Sequence, residues 1–235
     1  MDGTSAQLRL ILPVDPTGPS PLTAVDAACP STSAVYRWAK RGLDVSLSLV
    51  ALLIALPLLL VVGLVVRCTS RGPVLFRQPR VGRHGRSFMV LKFRSMCCDA
   101  EDRLRDLGLY DTYVATGFKL PAAVECRTTR VGRFLRRSSL DELPQLLNVL
   151  RGDMSLVGPR PVIPEELASY GPLVHCYLGV RPGITGMWQV NGRSQVRFPE
   201  RAHLDRHYYD ERSLRLDLAI LARTPRAVLR AEGAH

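Results

Sequence analysis

The chain has 235 residues, with 32 Lys and Arg against 21 Asp and Glu, a formal net charge of +11 and a pI near 9.9. Hydrophobic residues make up 46% and mean hydropathy is +0.04, which excludes wholesale disorder and suits one medium domain with an appendage. The excess of cations implies a polyanionic partner: nucleic acid, an anionic membrane surface or a phosphorylated substrate.

Residues 1–32 hold Pro13, Pro16, Pro19, Pro21 and Pro30 among Ser, Thr, Gly and Asp, and read as a disordered Pro-rich tail. Residues 33–72 read as an interfacial and re-entrant membrane helix. Ser33 is placed to cap a short helix carrying Tyr36, Trp38, Lys40 and Arg41, the mixture of rings and cations found at a headgroup layer. From Val45 to Val66 no charge occurs; about 22 residues make roughly 33 Å of straight helix, enough to cross a bilayer. Pro57 stands near the middle, where it removes a helix hydrogen bond and predicts a kink, with limbs of about one leaflet each. Lys40 and Arg41 precede the run, and Arg67, Arg71, Arg77 and Arg80 follow it. The positive-inside rule therefore puts both flanks on the cytoplasmic side, which a bent hairpin satisfies. Asp44, at the mouth of the run, is in helical reach of Lys40 and Arg41 and is expected to pair with them.

Residues 73–235 read as a catalytic domain. The stretches PVLFRQ and SFMVLKF, separated by PRVGRHGR, predict a β-hairpin. A helix is predicted from Ser95 to about Leu107, a loop around Thr116 to Glu125, and a helix over 139–151. Pro- and Gly-rich corners follow, and an amphipathic stretch from Leu214 to Leu229 is expected to break at Pro225. The six cysteines form no C-x-x-C pair and stand clear of His at metal-ligand spacing, so they read as reduced thiols.

The densest polar cluster runs from Arg127 to Pro161. Arg127, Arg130, Arg133, Arg136 and Arg137 precede the adjacent carboxylates Asp141 and Glu142. Ser139 and Glu142 have capping-box spacing; alternatively Asp141 itself caps, with Pro144 in the first turn. Either placement puts Asp141 at the positive end of a helix dipole and predicts that it is ionised. Such a carboxylate beside a cationic phosphate cradle can attack phosphorus or hold Mg²⁺. Gly158-Pro159-Arg160-Pro161 fixes a stiffly held guanidinium suited to bidentate phosphate recognition. Lys92 and Arg94, two apart at the end of the second strand, are expected to present donors on one face.

The string KRGLD, an apolar run with a central Pro, then GPVLFRQPRVGRHGRSFMVLKFRSM, TRVGRFLRRSSLDELPQLLNVLRGDMSLVGPRP, VRPGITGMWQVNGR and SLRLDLAILARTP resemble the bacterial sugar transferase family, the monotopic phosphoglycosyl transferases. The match runs from about Lys40 to Thr224, and the chain resembles the small form made of the catalytic region alone. The resemblance implies transfer of a phosphosugar from a UDP-sugar to undecaprenyl phosphate with release of UMP, the priming step of exopolysaccharide, capsule or O-antigen synthesis. It implies Asp141 as the nucleophile that forms a covalent phosphosugar intermediate, Glu142 as its assistant, Mg²⁺ at Asp141, and Arg136 and Arg160 on phosphate; Lys92, Arg94 and Arg137 are read as further phosphate-binding cations. GMWQVNGRS is closer to hexose-transferring relatives, pointing to glucose or galactose. Two departures stand out: Leu56 replaces the Ser that often precedes the kinking Pro, and Glu125-Cys126-Arg127 replaces an Asp-Pro-Arg, leaving Glu125 as a substitute.

The expected architecture is α+β, mainly helical: an N-terminal re-entrant membrane helix hairpin followed by a cytoplasmic catalytic domain with a small β-hairpin and interfacial helices. Expected partners are a UDP-sugar, undecaprenyl phosphate and anionic membrane lipids at the bacterial inner membrane, with a homodimer left open. Nucleic acid is not expected, because aromatics are only 6% and sparse among the arginines. The rival readings are a membrane-tethered basic adaptor without turnover and a Mg²⁺-dependent phosphohydrolase of lipid diphosphates.

Overall fold

The computed structural model describes residues 33–97, 99–109, 127–192 and 196–229. The Pro-rich tail, the loop expected at Thr116 to Glu125 and the substitute Glu125 lie outside them.

Helix α1 (Ala34–Thr69) begins where Ser33 accepts a hydrogen bond from the Tyr36 amide at 3.1 Å. The expected interfacial helix and apolar run are one element of 36 residues, roughly 54 Å at 1.5 Å per residue. The chain stays helical through Pro57, so the two limbs expected on either side of it belong to one continuous helix. A proline costs the helix one hydrogen bond, and the helix continues past it. Most of the run is exposed, with Ile54 at 76% and Leu60 at 66%. It is the one helix among the described residues that is long and apolar enough to cross a membrane.

Both ends of this run rest on the folded domain. After α1 come strands β1 (Leu75–Val81) and β2 (Ser87–Phe93), an antiparallel hairpin in the expected place, then helices α2 (Ala100–Asp106) and α3 (Arg130–Ser138), a 3-10 turn at Leu140–Glu142, and α4 (Gln145–Arg151). Val62 and Val66 pack against Phe93 of β2 and Leu135 of α3. At the other end Arg41 donates to the Val149 and Leu150 carbonyls at the C-terminus of α4, at 2.6 and 2.8 Å. Lys40 donates to the Val157 carbonyl at 3.1 Å and meets Asp217 at 3.0 Å. Asp44, buried, accepts from the Ser155 hydroxyl at 3.1 Å and the Leu156 amide at 3.0 Å. The expected pairing of Asp44 with Lys40 and Arg41 is therefore absent. A neighbouring helix C-terminus and a distant buried carboxylate claim the two cations, because groups removed from water bind more strongly than exposed i,i+4 pairs.

Two further corrections concern prolines and caps. Ser139 does not start a helix; it takes a left-handed conformation that ends α3. Pro144 occupies the position just before α4, where its missing amide costs nothing. The helix expected over 139–151 is thus a 3-10 turn followed by α4. Likewise the helix expected at Ser95 to Leu107 is confined to α2.

The remaining elements are β3 (Ser155–Val157), α5 (Pro164–Leu167), α6 (Val174–Leu178), β4 (Gly183–Thr185), α7 (Met187–Val190), α8 (Glu200–Glu211) and α9 (Leu214–Leu229). Helix α9 continues through Pro225 rather than breaking there. Strands β3 and β4 pair in parallel, and the pairing extends into the corner at 158–161: the Gly158 amide donates to the Thr185 carbonyl at 2.9 Å and the Gly183 amide to the Pro159 carbonyl at 2.7 Å. Only glycine fits at 183, because a Cβ there would lie 2.2 Å from the Gly158 nitrogen. Gly183→Ala is expected to force the pair apart at a cost of about 2 kcal/mol, read as a lowered Tm together with lost activity from a displaced Arg160. An unchanged Tm would show that the pair does not hold the corner.

Candidate active site

Asn148, fully buried on α4, binds the free edge of β2. Its side-chain oxygen accepts from the Leu91 amide at 3.0 Å and its NH₂ donates to the Met89 carbonyl at 2.8 Å. An amide can satisfy both groups of a strand edge at once. This docking brings Lys92 of β2 to the 3-10 turn, where its ammonium donates to Glu142 at 2.6 Å. Arg160, from the corner held by β3 and β4, approaches the same Glu142 oxygen at 3.5 Å. The result is a small open cleft walled by Arg80, Lys92, Glu142, Gln145 and Arg160, with Val90 and Ile184 beside them.

Asp141 lies next to this wall, 6% exposed. Burial, then the neighbouring Glu142 charge, push its carboxyl up to about 6, against the pull of Lys92, Arg136 and Arg160. The expected placement at the start of an α-helix is corrected: Asp141 sits in a 3-10 turn, where desolvation outweighs the cations, and a carboxyl titrating near 6 is still mostly ionised at neutral pH. Loss of water pulls the Lys92 ammonium below its ordinary value, while Glu142 opposes the shift. Lys92, Arg160 and Glu142 thus line the cleft, and Asp141 lies beside it within their field.

Not every expected residue joins it. Arg136 acts on Asp141 while donating to the Ser95 hydroxyl at 3.2 Å. Arg137 is exposed on α3 and is not part of the cleft wall. Arg94 is buried, and its guanidinium donates to the Pro73 carbonyl and, at 2.7 Å, to the Ser70 carbonyl. It locks the end of α1 to β2 rather than facing the cleft with Lys92, because β2 ends at Phe93 and strand alternation no longer governs residue 94.

Two cleft residues were not anticipated. Arg80 donates to the Pro161 carbonyl at 3.3 Å and pairs with Glu166 at 3.7 Å, so it braces the Arg160 corner from the hairpin side. Gln145, buried on the first turn of α4, opens on the cleft four residues after Asp141. The spacing to Asp141 was its one available signal.

Among the described residues no group of three or more His, Cys, Asp or Glu gathers as a metal site. Asp141 and Glu142 nevertheless fit Mg²⁺, which is commonly held by one or two carboxylates and completed by substrate phosphate oxygens. A raised Asp141 beside Glu142 is an environment that a divalent cation would relieve.

The bacterial sugar transferase family profile matches residues 35–231. The chain is 44% identical over 203 residues to an undecaprenyl-phosphate galactose phosphotransferase of Salmonella typhimurium, covering 85% of this chain and 42% of that protein. It is 42% identical over 203 residues to a UDP-galactose-lipid carrier transferase of Erwinia amylovora, covering 85% and 42%. An exopolysaccharide production protein ExoY of Rhizobium meliloti is 42% identical over 202 residues, covering 84% of this chain and 88% of its own length. The chain spans about two fifths of the first two relatives and most of the third. With the dyad, the basic cleft and the docked apolar helix all inside the matched region, the chain belongs to the bacterial sugar transferase family.

Proposed function

We propose that this protein transfers a sugar phosphate from a UDP-sugar to undecaprenyl phosphate at the cytoplasmic face of a bacterial inner membrane, releasing UMP as the priming step of exopolysaccharide, capsule or O-antigen synthesis. The observation that carries the reading is a nearly buried Asp141 next to Glu142, within the field of Lys92, Arg136 and Arg160, on a domain that clasps an apolar helix. In the first step an Asp141 carboxylate oxygen attacks the sugar-bearing phosphorus. The bond from that phosphorus to the bridging oxygen breaks, and UMP leaves with the electron pair. In the second step a phosphate oxygen of undecaprenyl phosphate attacks the same phosphorus and frees the Asp141 carboxylate. Lys92 and Arg160 offset the charge of the diphosphate, and Glu142 holds Lys92 in place at 2.6 Å. Asp141 and Glu142 would hold Mg²⁺, which would supply further neutralisation of the UDP-sugar diphosphate and of the departing UMP. Names of the relatives that carry galactose favour a hexose donor, galactose or glucose.

The one-face topology is supported by the two ends of the apolar run. Arg41 and Val66 are 25 positions apart in the sequence, roughly 38 Å along a straight helix, yet both are packed on the same domain. A helix crossing the bilayer would carry its ends to opposite faces and lose one set of contacts. Anionic lipid headgroups suit the exposed Arg130, Arg133 and Arg137 of α3.

The test is UMP release from membranes supplied with UDP-galactose or UDP-glucose, with and without undecaprenyl phosphate. Release that requires the lipid phosphate is expected. No release would favour the basic adaptor, and phosphate release from a lipid diphosphate would favour the phosphohydrolase. In this assay Lys92→Met is expected to lower kcat by about 100-fold, because it removes the closest cation and leaves Glu142 less well held. Wild-type kcat in that variant would remove Lys92 from the reaction.

A further inference from the structure

The sequence string GMWQV has no place in the reaction as described, yet its tryptophan lies against the phosphate-binding corner. The Arg160 guanidinium is 36% exposed and meets Glu142 only at 3.5 Å, so that contact fixes it weakly. Its other neighbour is Trp188 of α7, whose ring centroid is 5.7 Å from the guanidinium carbon. The same ring carries Arg201 of α8 at 4.7 Å, and Phe198 takes Arg201 at 5.0 Å. Arg201 is 4% exposed, and its terminal nitrogen donates to the backbone carbonyl of Arg160 at 3.4 Å. Trp188 is itself anchored, with its indole N–H donating to the Val196 carbonyl at 3.0 Å. Helix α7 cannot drift from the corner either, because Gly186, just before it, abuts the Gly158 carbonyl with no room for a side chain.

An arginine free to sample its rotamers loses side-chain entropy when a ligand immobilises it. An aromatic face that already holds the guanidinium removes part of that loss before substrate arrives. We propose that Trp188 and Arg201 are positioning residues: Trp188 holds the Arg160 guanidinium toward the diphosphate of the UDP-sugar, and Arg201 fixes the Arg160 backbone beneath it. The inference rests on the reading that Arg160 binds substrate phosphate.

A double-mutant cycle tests it, with kcat/KM for UDP-galactose or UDP-glucose measured on full-length protein in membranes containing undecaprenyl phosphate. Trp188→Leu in the unmodified background is expected to lower kcat/KM by about tenfold. In the Arg160→Ala background the same change is expected to lower it no further, since there is no guanidinium left to hold. Arg201→Lys should follow the same pattern with a smaller loss. If Trp188→Leu does not fold, as judged by Tm, the cycle is run with Trp188→Phe, for which a loss of about threefold confined to the Arg160 background is expected. Losses that multiply, or a Trp188 variant with unmodified kinetics while Arg160→Ala is impaired, would overturn the positioning role and leave the phosphate role of Arg160 intact. Full activity of Arg160→Ala would overturn both.

Discussion

Asp141→Asn is expected to abolish UMP release and, in the same preparation, to melt at a higher temperature than the unmodified protein. The two effects have one cause. The proposed reaction uses an ionised carboxylate as nucleophile, but the fold buries that group beside Glu142, which pushes its pKa up to about 6. Between the ordinary carboxylate value near 4 and about 6, the folded chain keeps a proton that the unfolded chain has lost. Stability from this group is therefore full below pH 4 and declines as pH rises toward 6, and above 6 the folded state carries an unfavourable buried charge. Asparagine removes a cost on the order of 2 kcal/mol at pH 8, and the Tm difference should shrink as pH falls toward 4. The melts are run without magnesium, so that only the protein's own groups act. For the unmodified enzyme, kcat/KM for the UDP-sugar should fall about tenfold per pH unit below 6 as Asp141 takes up its proton. Turnover by Asp141→Asn near the unmodified rate would remove Asp141 as nucleophile, and a lower Tm at pH 8 would show that its carboxylate is stabilised rather than strained.

The contrast between what the chain announces and what it hides follows from the range of the interactions. The apolar run of α1 and the β1–β2 hairpin are written in hydropathy and alternation over adjacent residues, so both were legible. The dyad and Arg160 were legible as well, through string resemblance and the stiff Pro-Arg-Pro corner. The β3–β4 pair was not. It joins three-residue strands 28 positions apart through glycine backbones, and no side-chain pattern marks such a contact. Helix α8 was missed because its buried face includes Arg201 and Asp205, with Tyr170 donating to Asp205 at 2.7 Å, so burial there does not follow hydrophobicity. Arg94 was misassigned for a related reason: strand parity says where a side chain starts, and the Ser70 and Pro73 carbonyls decide where its guanidinium ends. Asp44 was noticed as costly, but its partners lie more than a hundred residues away.

Those partners are expected to hold the topology of the protein. Asp44→Leu leaves the Ser155 hydroxyl and the Leu156 amide buried without their acceptor, at a cost of about 3 kcal/mol. It should lower Tm by several degrees and loosen the start of α1, although Arg41 and Lys40 still grip α4, Val157 and Asp217. With the clasp intact, a tag placed ahead of Met1 is expected to be shielded from impermeant reagents in intact cells, because the proposed one-face topology puts both flanks on the cytoplasmic side. Pro57→Leu restores one helix hydrogen bond and favours a straight run long enough to cross. Alone it should leave the tag shielded, since crossing would also break every contact of Lys40, Arg41 and Asp44 and carry two cations across the membrane. Pro57→Leu combined with Asp44→Leu removes one buried anchor and the helix-weakening proline together, and part of the population is expected to expose the tag and lose activity. Labelling of the tag on the unmodified protein from outside would show that the helix spans, and labelling of Pro57→Leu alone would show that the proline, rather than the clasp, sets the topology.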